Sequence, residues 1–138
     1  MKAELKVSAI GLAIYAVYLP IALWLGDGYT PTPKPPGQRI EPVLKIEHLT
    51  GFAYQAQSFS LLKYADESED SMRSPVILYE GLSPLGPGKS YIRDVLGIGR
   101  GRFTFVKAKS DPRSLLFFST SDNSDPNTNG RKYWLVLP

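Results

Sequence analysis

The chain of 138 residues contains no cysteine and a single histidine. Those absences exclude disulfide frameworks, thiol chemistry, thiolate zinc sites and clusters of imidazole ligands. A lipid-modified cysteine cannot serve as an anchor either, and a folded domain must stand on its core without cross-links. No Gly-x-Ser-x-Gly elbow occurs, so a Ser-His-Asp arrangement would have to use His48 without the turn that exposes its nucleophile. His48 shares a period of two with Leu44 and Ile46, which predicts a half-buried strand residue rather than a base.

Charge is missing altogether from residues 7–25, Val-Ser-Ala-Ile-Gly-Leu-Ala-Ile-Tyr-Ala-Val-Tyr-Leu-Pro-Ile-Ala-Leu-Trp-Leu. At about 1.5 Å per helical residue the run spans roughly 28 Å, close to the ~30 Å hydrocarbon core of a bilayer. It is longer than a cleavable signal core and ends in Trp24-Leu25-Gly26-Asp27, where a small-x-small cleavage site would be needed. An uncleaved transmembrane helix, a signal-anchor, is therefore expected over 7–25, with a tail at 1–6. Pro20 removes one backbone bond, which membrane helices accommodate. Lys2 and Lys6 flank the run on one side and the next basic residue on the other is Lys34. This bias keeps the tail cytoplasmic and exports the C-terminal part. Ala9 and Ala13 have the small-x-x-x-small spacing through which a homodimer can form, although alanine is also ordinary lipid-facing filler.

Residues 26–42 carry Pro31, Pro33, Pro35, Pro36 and Pro42 with interspersed glycines and no apolar period. That composition predicts an extended spacer. From 43 to 138, short runs rich in β-branched and aromatic residues alternate with turn formers: 43–49, 52–57, 76–80, 102–107, 115–120 and 132–137. The fold class expected is mainly β, a small antiparallel β-sandwich or jelly-roll-like domain of six to eight strands behind a single transmembrane helix. One short helix interrupts it, with Ser90 as N-cap, Ile92, Val95 and Leu96 on one face, and Gly97 as left-handed terminator. Gly97, Gly99 and Gly101 miss the dinucleotide spacing, because Arg102 stands in the way and no strand precedes them.

Acidic residues concentrate in Asp66-Glu67-Ser68-Glu69-Asp70, which reads as a solvated loop rather than a pair of catalytic carboxylates. Seven basic residues (Lys89, Arg93, Arg100, Arg102, Lys107, Lys109 and Arg113) face only Asp94 and Asp111 in the same stretch. Such a patch attracts anionic polymers or lipid headgroups. An exported domain would not meet nucleic acid.

The stretch 119–134, Ser-Thr-Ser-Asp-Asn-Ser-Asp-Pro-Asn-Thr-Asn-Gly-Arg-Lys-Tyr-Trp, is first a loop between two strands, with Asn129-Gly130 as a tight-turn pair. Asp125, Asn127 and Asn129 at alternate positions before Gly130 match the first half of a calcium loop. Val136 stands where the bidentate glutamate is required, so calcium is one candidate cofactor and plain Asx turns the other reading. The same loop offers the amides, carboxylates and ring that sugars require: Asp122, Asn123, Asp125, Asn127, Asn129, Arg131 and Tyr133, with Arg100 and Arg102 as contacts to acidic sugars. Alternation sends Tyr133 and Trp134 to opposite faces, and Trp134 is the one expected in the core.

Ser74-Pro75-Val76-Ile77-Leu78-Tyr79-Glu80-Gly81, Pro84-Leu85-Gly86-Pro87, Gly99-Arg100-Gly101-Arg102-Phe103 and the closing loop through Tyr133 resemble a C-terminal module of bacterial envelope and glycan-related membrane proteins. The resemblance covers about residues 70–138. It implies a bacterial inner-membrane protein with its domain in the periplasm or outside the cell, and a glycan-associated role; it implies no reaction. The expected function is an anchored binding module, accessory to a polysaccharide or envelope pathway. Its partners would be the lipid bilayer and an envelope glycan or membrane protein. A structural or assembly subunit of a membrane complex is the alternative, and an envelope hydrolase the third.

Overall fold

The computed structural model describes residues 2–109 and 113–138, with Lys2–Leu5 and Val7 described by backbone only; Met1 and Asp111 lie outside the described residues. Two compact units divide the chain, Met1–Thr32 and Pro33–Pro138.

The first unit holds α1 (Lys2–Asp27), an unbroken helix with Pro20 inside it. The tail expected at 1–6 is thus helical from Lys2. Its stretch Ser8–Asp27 is the one helix among the described residues long and apolar enough to cross a membrane. Within its unit its side chains are bare, from Ile10 to Leu25.

The second unit is β. Its strands are β1 (Arg39–Pro42), β2 (Glu47–Thr50), β3 (Ala53–Ser58), β4 (Ile77–Glu80), β5 (Ser83–Pro84), β6 (Phe103–Lys107), β7 (Ser114–Phe118) and β8 (Tyr133–Leu137). They form two four-stranded antiparallel sheets, ordered β1-β8-β4-β5 and β2-β3-β7-β6. Alternation supplies the inner faces. Leu78, Tyr133, Leu135 and Leu137 from the first sheet meet Tyr54, Phe103, Phe105, Leu116 and Phe118 from the second in one cluster. The sandwich expected from the sequence is present.

Strand β8 lies between β1 and β4 and is buried throughout, so its outward residues Trp134 and Val136 also need a cover. The prolines provide it. Pro35 is fully buried, Gly37 lies so close to Val136 that a Cβ there would collide with it, and the Lys34 ammonium stands 6.0 Å from the centre of the Trp134 ring. The stretch read as a spacer over 26–42 is therefore cut short. From Pro33 onward it belongs to the domain, and its last four residues are β1, paired Arg39 to Leu137 through Pro42 to Trp134.

Helix α2 (Ile92–Gly97) forms as expected, with different ends. The N-cap is Tyr91, while the Ser90 hydroxyl donates to the Pro87 carbonyl; the free amide of Ile92 is taken by the Glu69 carboxylate at 2.8 Å. Left-handed backbone comes at Gly99, Arg100 and Gly101 rather than at Gly97.

The acidic run is solvated at Glu67, Ser68 and Asp70, as expected, but not at Asp66 and Glu69. Asp66 is buried, accepts the amides of Arg73 and Ser74 at 2.7 and 3.0 Å, and pairs its own backbone with Phe105 and Lys107 at 2.9 and 2.8 Å, which covers the edge of β6. His48 is exposed rather than half-buried. Its Nε2 lies 3.0 Å from the Gly51 carbonyl, and its ring sits 5.0 Å from that of Tyr54.

Candidate functional site

The end of the sandwich where β4 finishes and β8 begins, beside the 119–132 loop, gathers most of the polar residues singled out from the sequence. Glu80 is the hub. It stands opposite Tyr133 across the β4–β8 ladder, and its side chain is 11% exposed. Its carboxylate accepts the Ser121 hydroxyl at 2.6 Å, the Ser121 amide at 3.2 Å, the Tyr133 hydroxyl at 3.1 Å and an Arg131 Nη1 proton at 3.2 Å. Arg131 reaches from Glu80 to Asp122, where two bonds of 3.0 and 2.8 Å to Oδ1 and Oδ2 make a bidentate pair. Asp122 also accepts the Ser124 hydroxyl at 2.6 Å and its amide at 3.2 Å.

These contacts set the titration of the group. The Arg131 bonds, followed by those of Ser124, hold the Asp122 carboxyl far below the usual carboxylate range, and the same pairing holds the Arg131 guanidinium protonated. Burial is the main cause that pushes the Tyr133 phenol up to about 12, with the Glu80 charge adding to it. Tyr133 is 3% exposed and belongs to the core cluster, its hydroxyl fixed between Asn129 Nδ2 at 2.7 Å and Glu80. It shows no ring face to a sugar. Trp134 is buried, as expected, but stands outside the main inter-sheet cluster, with the Lys34 ammonium 6.0 Å from its ring; its indole N–H has no hydrogen-bond partner among the described residues.

The remaining loop residues brace neighbouring segments. Asn123 accepts the Arg100 amide at 2.6 Å and donates to the Ile98 carbonyl at 3.3 Å, so it fixes the left-handed turn after α2. Asp125 accepts the Asn127 amide at 2.9 Å in an Asx turn, and Asn127 Nδ2 donates to the Ile46 carbonyl at 3.2 Å. Asn129 accepts the Arg131 amide at 3.0 Å and donates to the Ser124 hydroxyl at 3.1 Å. Among the described residues, no three His, Cys, Asp or Glu side chains converge as they would around a metal. Arg102 turns its guanidinium onto the Gly99 carbonyl at 3.1 Å, and Arg100 leaves its side chain in solvent.

No family model, curated protein or solved structure matches the chain.

A groove of about 450 Å³ opens beside this network, between the β1–β2 connection and the loop. Pro42, Val43 and Pro126 give it apolar walls, and Lys45, Asn127 and Arg131 give it polar ones. Of the predicted residues, Asn127, Arg131 and Tyr133 line it; Asp122, Asn123, Asp125, Asn129, Arg100 and Arg102 do not. The Arg131 guanidinium is taken by Asp122 and Glu80, so what the groove offers a small anionic, hydroxyl-rich ligand is the Lys45 ammonium and the Asn127 amide oxygen. Sequence reasoning missed Glu80 and Lys45. A signal for Glu80 was there, since Val76, Leu78 and Glu80 share one face at a period of two, which puts a carboxylate in register with core positions.

Proposed function

We propose that the chain is a single-pass, membrane-anchored binding module whose β-sandwich binds an acidic glycan of the bacterial envelope in the groove between residues 42–46 and 126–134. The observation that carries the reading is the groove itself: Lys45 and Asn127 beside apolar walls, on a loop that Arg131 braces to Glu80 and Asp122. A rigid loop loses little entropy on binding, which favours affinity for small polar ligands. The bare apolar stretch Ser8–Asp27 supports the anchor, and Lys2 and Lys6 before it support a cytoplasmic N-terminus with the domain outside. The resemblance of residues 70–138 to a module of envelope and glycan-related membrane proteins supports the ligand class.

The test is titration of the full chain in nanodiscs with acidic envelope oligosaccharides. Saturable binding is expected, weakened about tenfold by Lys45→Gln, the scale of one charge-assisted hydrogen bond. A blank at millimolar ligand across acidic and neutral glycans refutes the reading. An assembly subunit is the second reading, favoured by the uncovered apolar surface of α1. It requires one membrane protein to co-purify in mild detergent and to be lost when Ala9 and Ala13 are changed to leucine; a homodimer through that face would appear instead as a detergent-stable pair.

A further inference from the structure

A second groove of about 570 Å³ lies away from the loop just described, lined by Arg39, Lys63, Lys107 and Arg113 around Phe59 and Leu62. Four basic side chains and no acidic one line it among the described residues. They come from four segments: the start of β1, the 3₁₀ turn Leu62–Tyr64, the end of β6 and the residue before β7. Only the last two belong to the basic run visible in the sequence. Phe59 follows the last residue of β3 and is 66% exposed. The serines on either side of it, Ser58 and Ser60, both donate to Glu41 Oε2, at 2.7 and 2.6 Å. The backbone is thereby pinned while the ring stands in solvent. Lys107 is paired with Glu67, Arg113 donates to the Gln57 side chain at 2.9 Å, and Arg39 and Lys63 make no ion pair among the described residues.

We propose that this face docks on anionic lipid headgroups. The cations fit a negative membrane surface, and an exposed aromatic ring among them fits the interfacial zone where rings are stably placed. A dissolved inorganic polyanion would use the cations and gain nothing from Phe59 and Leu62, and an acidic polysaccharide, which could use the ring, is separated from lipid by the experiment below. The proposal rests on the membrane reading of α1, which brings such a surface within the same protein's surroundings, and it is independent of the glycan groove.

The experiment uses the full chain in nanodiscs of phosphatidylcholine, with and without phosphatidylglycerol. Because the chain has no cysteine, Ala108→Cys, on the groove's lining but outside the serine pins, gives a single attachment point for an environment-sensitive dye. The expected result is a blue shift and quenching by headgroup-nitroxide lipid in the anionic discs only, both reversed by high salt. Loss of each cation should weaken docking about fivefold, so Arg39→Gln with Lys63→Gln should weaken it about 25-fold. Phe59→Ser should lower quenching without moving the melting curve. Acylation of Lys63 in the unaltered chain gives a readout that needs no variant, with protection expected in anionic discs. Equal dye signals and equal acylation in both disc types overturn the proposal. So does an acidic polysaccharide that produces the same blue shift in zwitterionic discs. Failure of the chain to enter discs at all refutes the anchor, a separate outcome.

Discussion

Glu80→Ala removes the acceptor at the centre of the loop network, and the cost follows from what each donor loses. Arg131 keeps its bidentate pair with Asp122, and Ser121 is exposed, so water can replace part of what those two residues made with Glu80. The Tyr133 hydroxyl has no such recourse: it is buried, receives a bond from Asn129, and is left with nothing to donate to. An unsatisfied buried donor costs about 1–3 kcal/mol, and the weakened bonds to the charged partner add on the order of 1 kcal/mol. The sum is about 3 kcal/mol. For a domain of roughly 100 residues, with an unfolding entropy of about 2.1 cal/mol/K per residue, this lowers the melting temperature by about 14 °C. Glu80→Gln keeps the shape and one acceptor and should cost about half as much. Circular dichroism melts at neutral pH, full chain in detergent, provide the assay. A fall of less than about 3 °C for Glu80→Ala would refute the brace, since the donors would then be equally well served by water.

Other consequences follow from the same geometry. The Tyr133 phenol is raised to about 12 from an ordinary value of 10.0, so its contribution to stability is complete below pH 10 and disappears as pH rises toward 12. Alkaline melts should show that loss, and Tyr133→Phe should flatten it. For Asp122 the shift is downward, so its contribution is present above the ordinary carboxylate range and declines as the solution is acidified below it; Asp122→Asn should reduce the acid sensitivity of the melting curve. Gly51 has φ +55° and lies where a Cβ would collide with the Leu96 carbonyl, so Gly51→Ala should destabilise by about 1–3 kcal/mol in denaturant titration. Calcium at about 5 mM, above the range of extracellular calcium modules, should leave the melting temperature unchanged, because Asp125 spends a carboxylate oxygen on the Asn127 amide, Asn129 spends its carbonyl oxygen on the Arg131 amide, and no three acidic side chains converge there among the described residues. A rise reversed by chelator would refute that account. Finally, Ser121→Cys should react with a membrane-impermeant maleimide on intact spheroplasts if the domain is exported.

The sequence by itself determined what depends on local chemistry. Nineteen uncharged residues make a helix of membrane length whatever surrounds them, and runs such as Phe103–Lys107 and Tyr133–Leu137 become strands because branched and aromatic side chains suit a pleated, buried surface. The two-sheet sandwich followed from their number and spacing. Tertiary structure decided what depends on non-local partners. Residues 33–38 read as a spacer because proline and glycine suppress any period, yet the buried outer face of β8 draws them in as a cover. Asp66 and Glu69 read as solvated charge, yet each finds backbone amides many residues away. The loop shows the division most clearly. Its density of oxygen and amide groups was legible residue by residue, but whether those groups face a ligand or one another is fixed by where β4, α2 and the β1–β2 connection come to lie. Glu80, 51 residues before Arg131, meets it only because β4 pairs with β8.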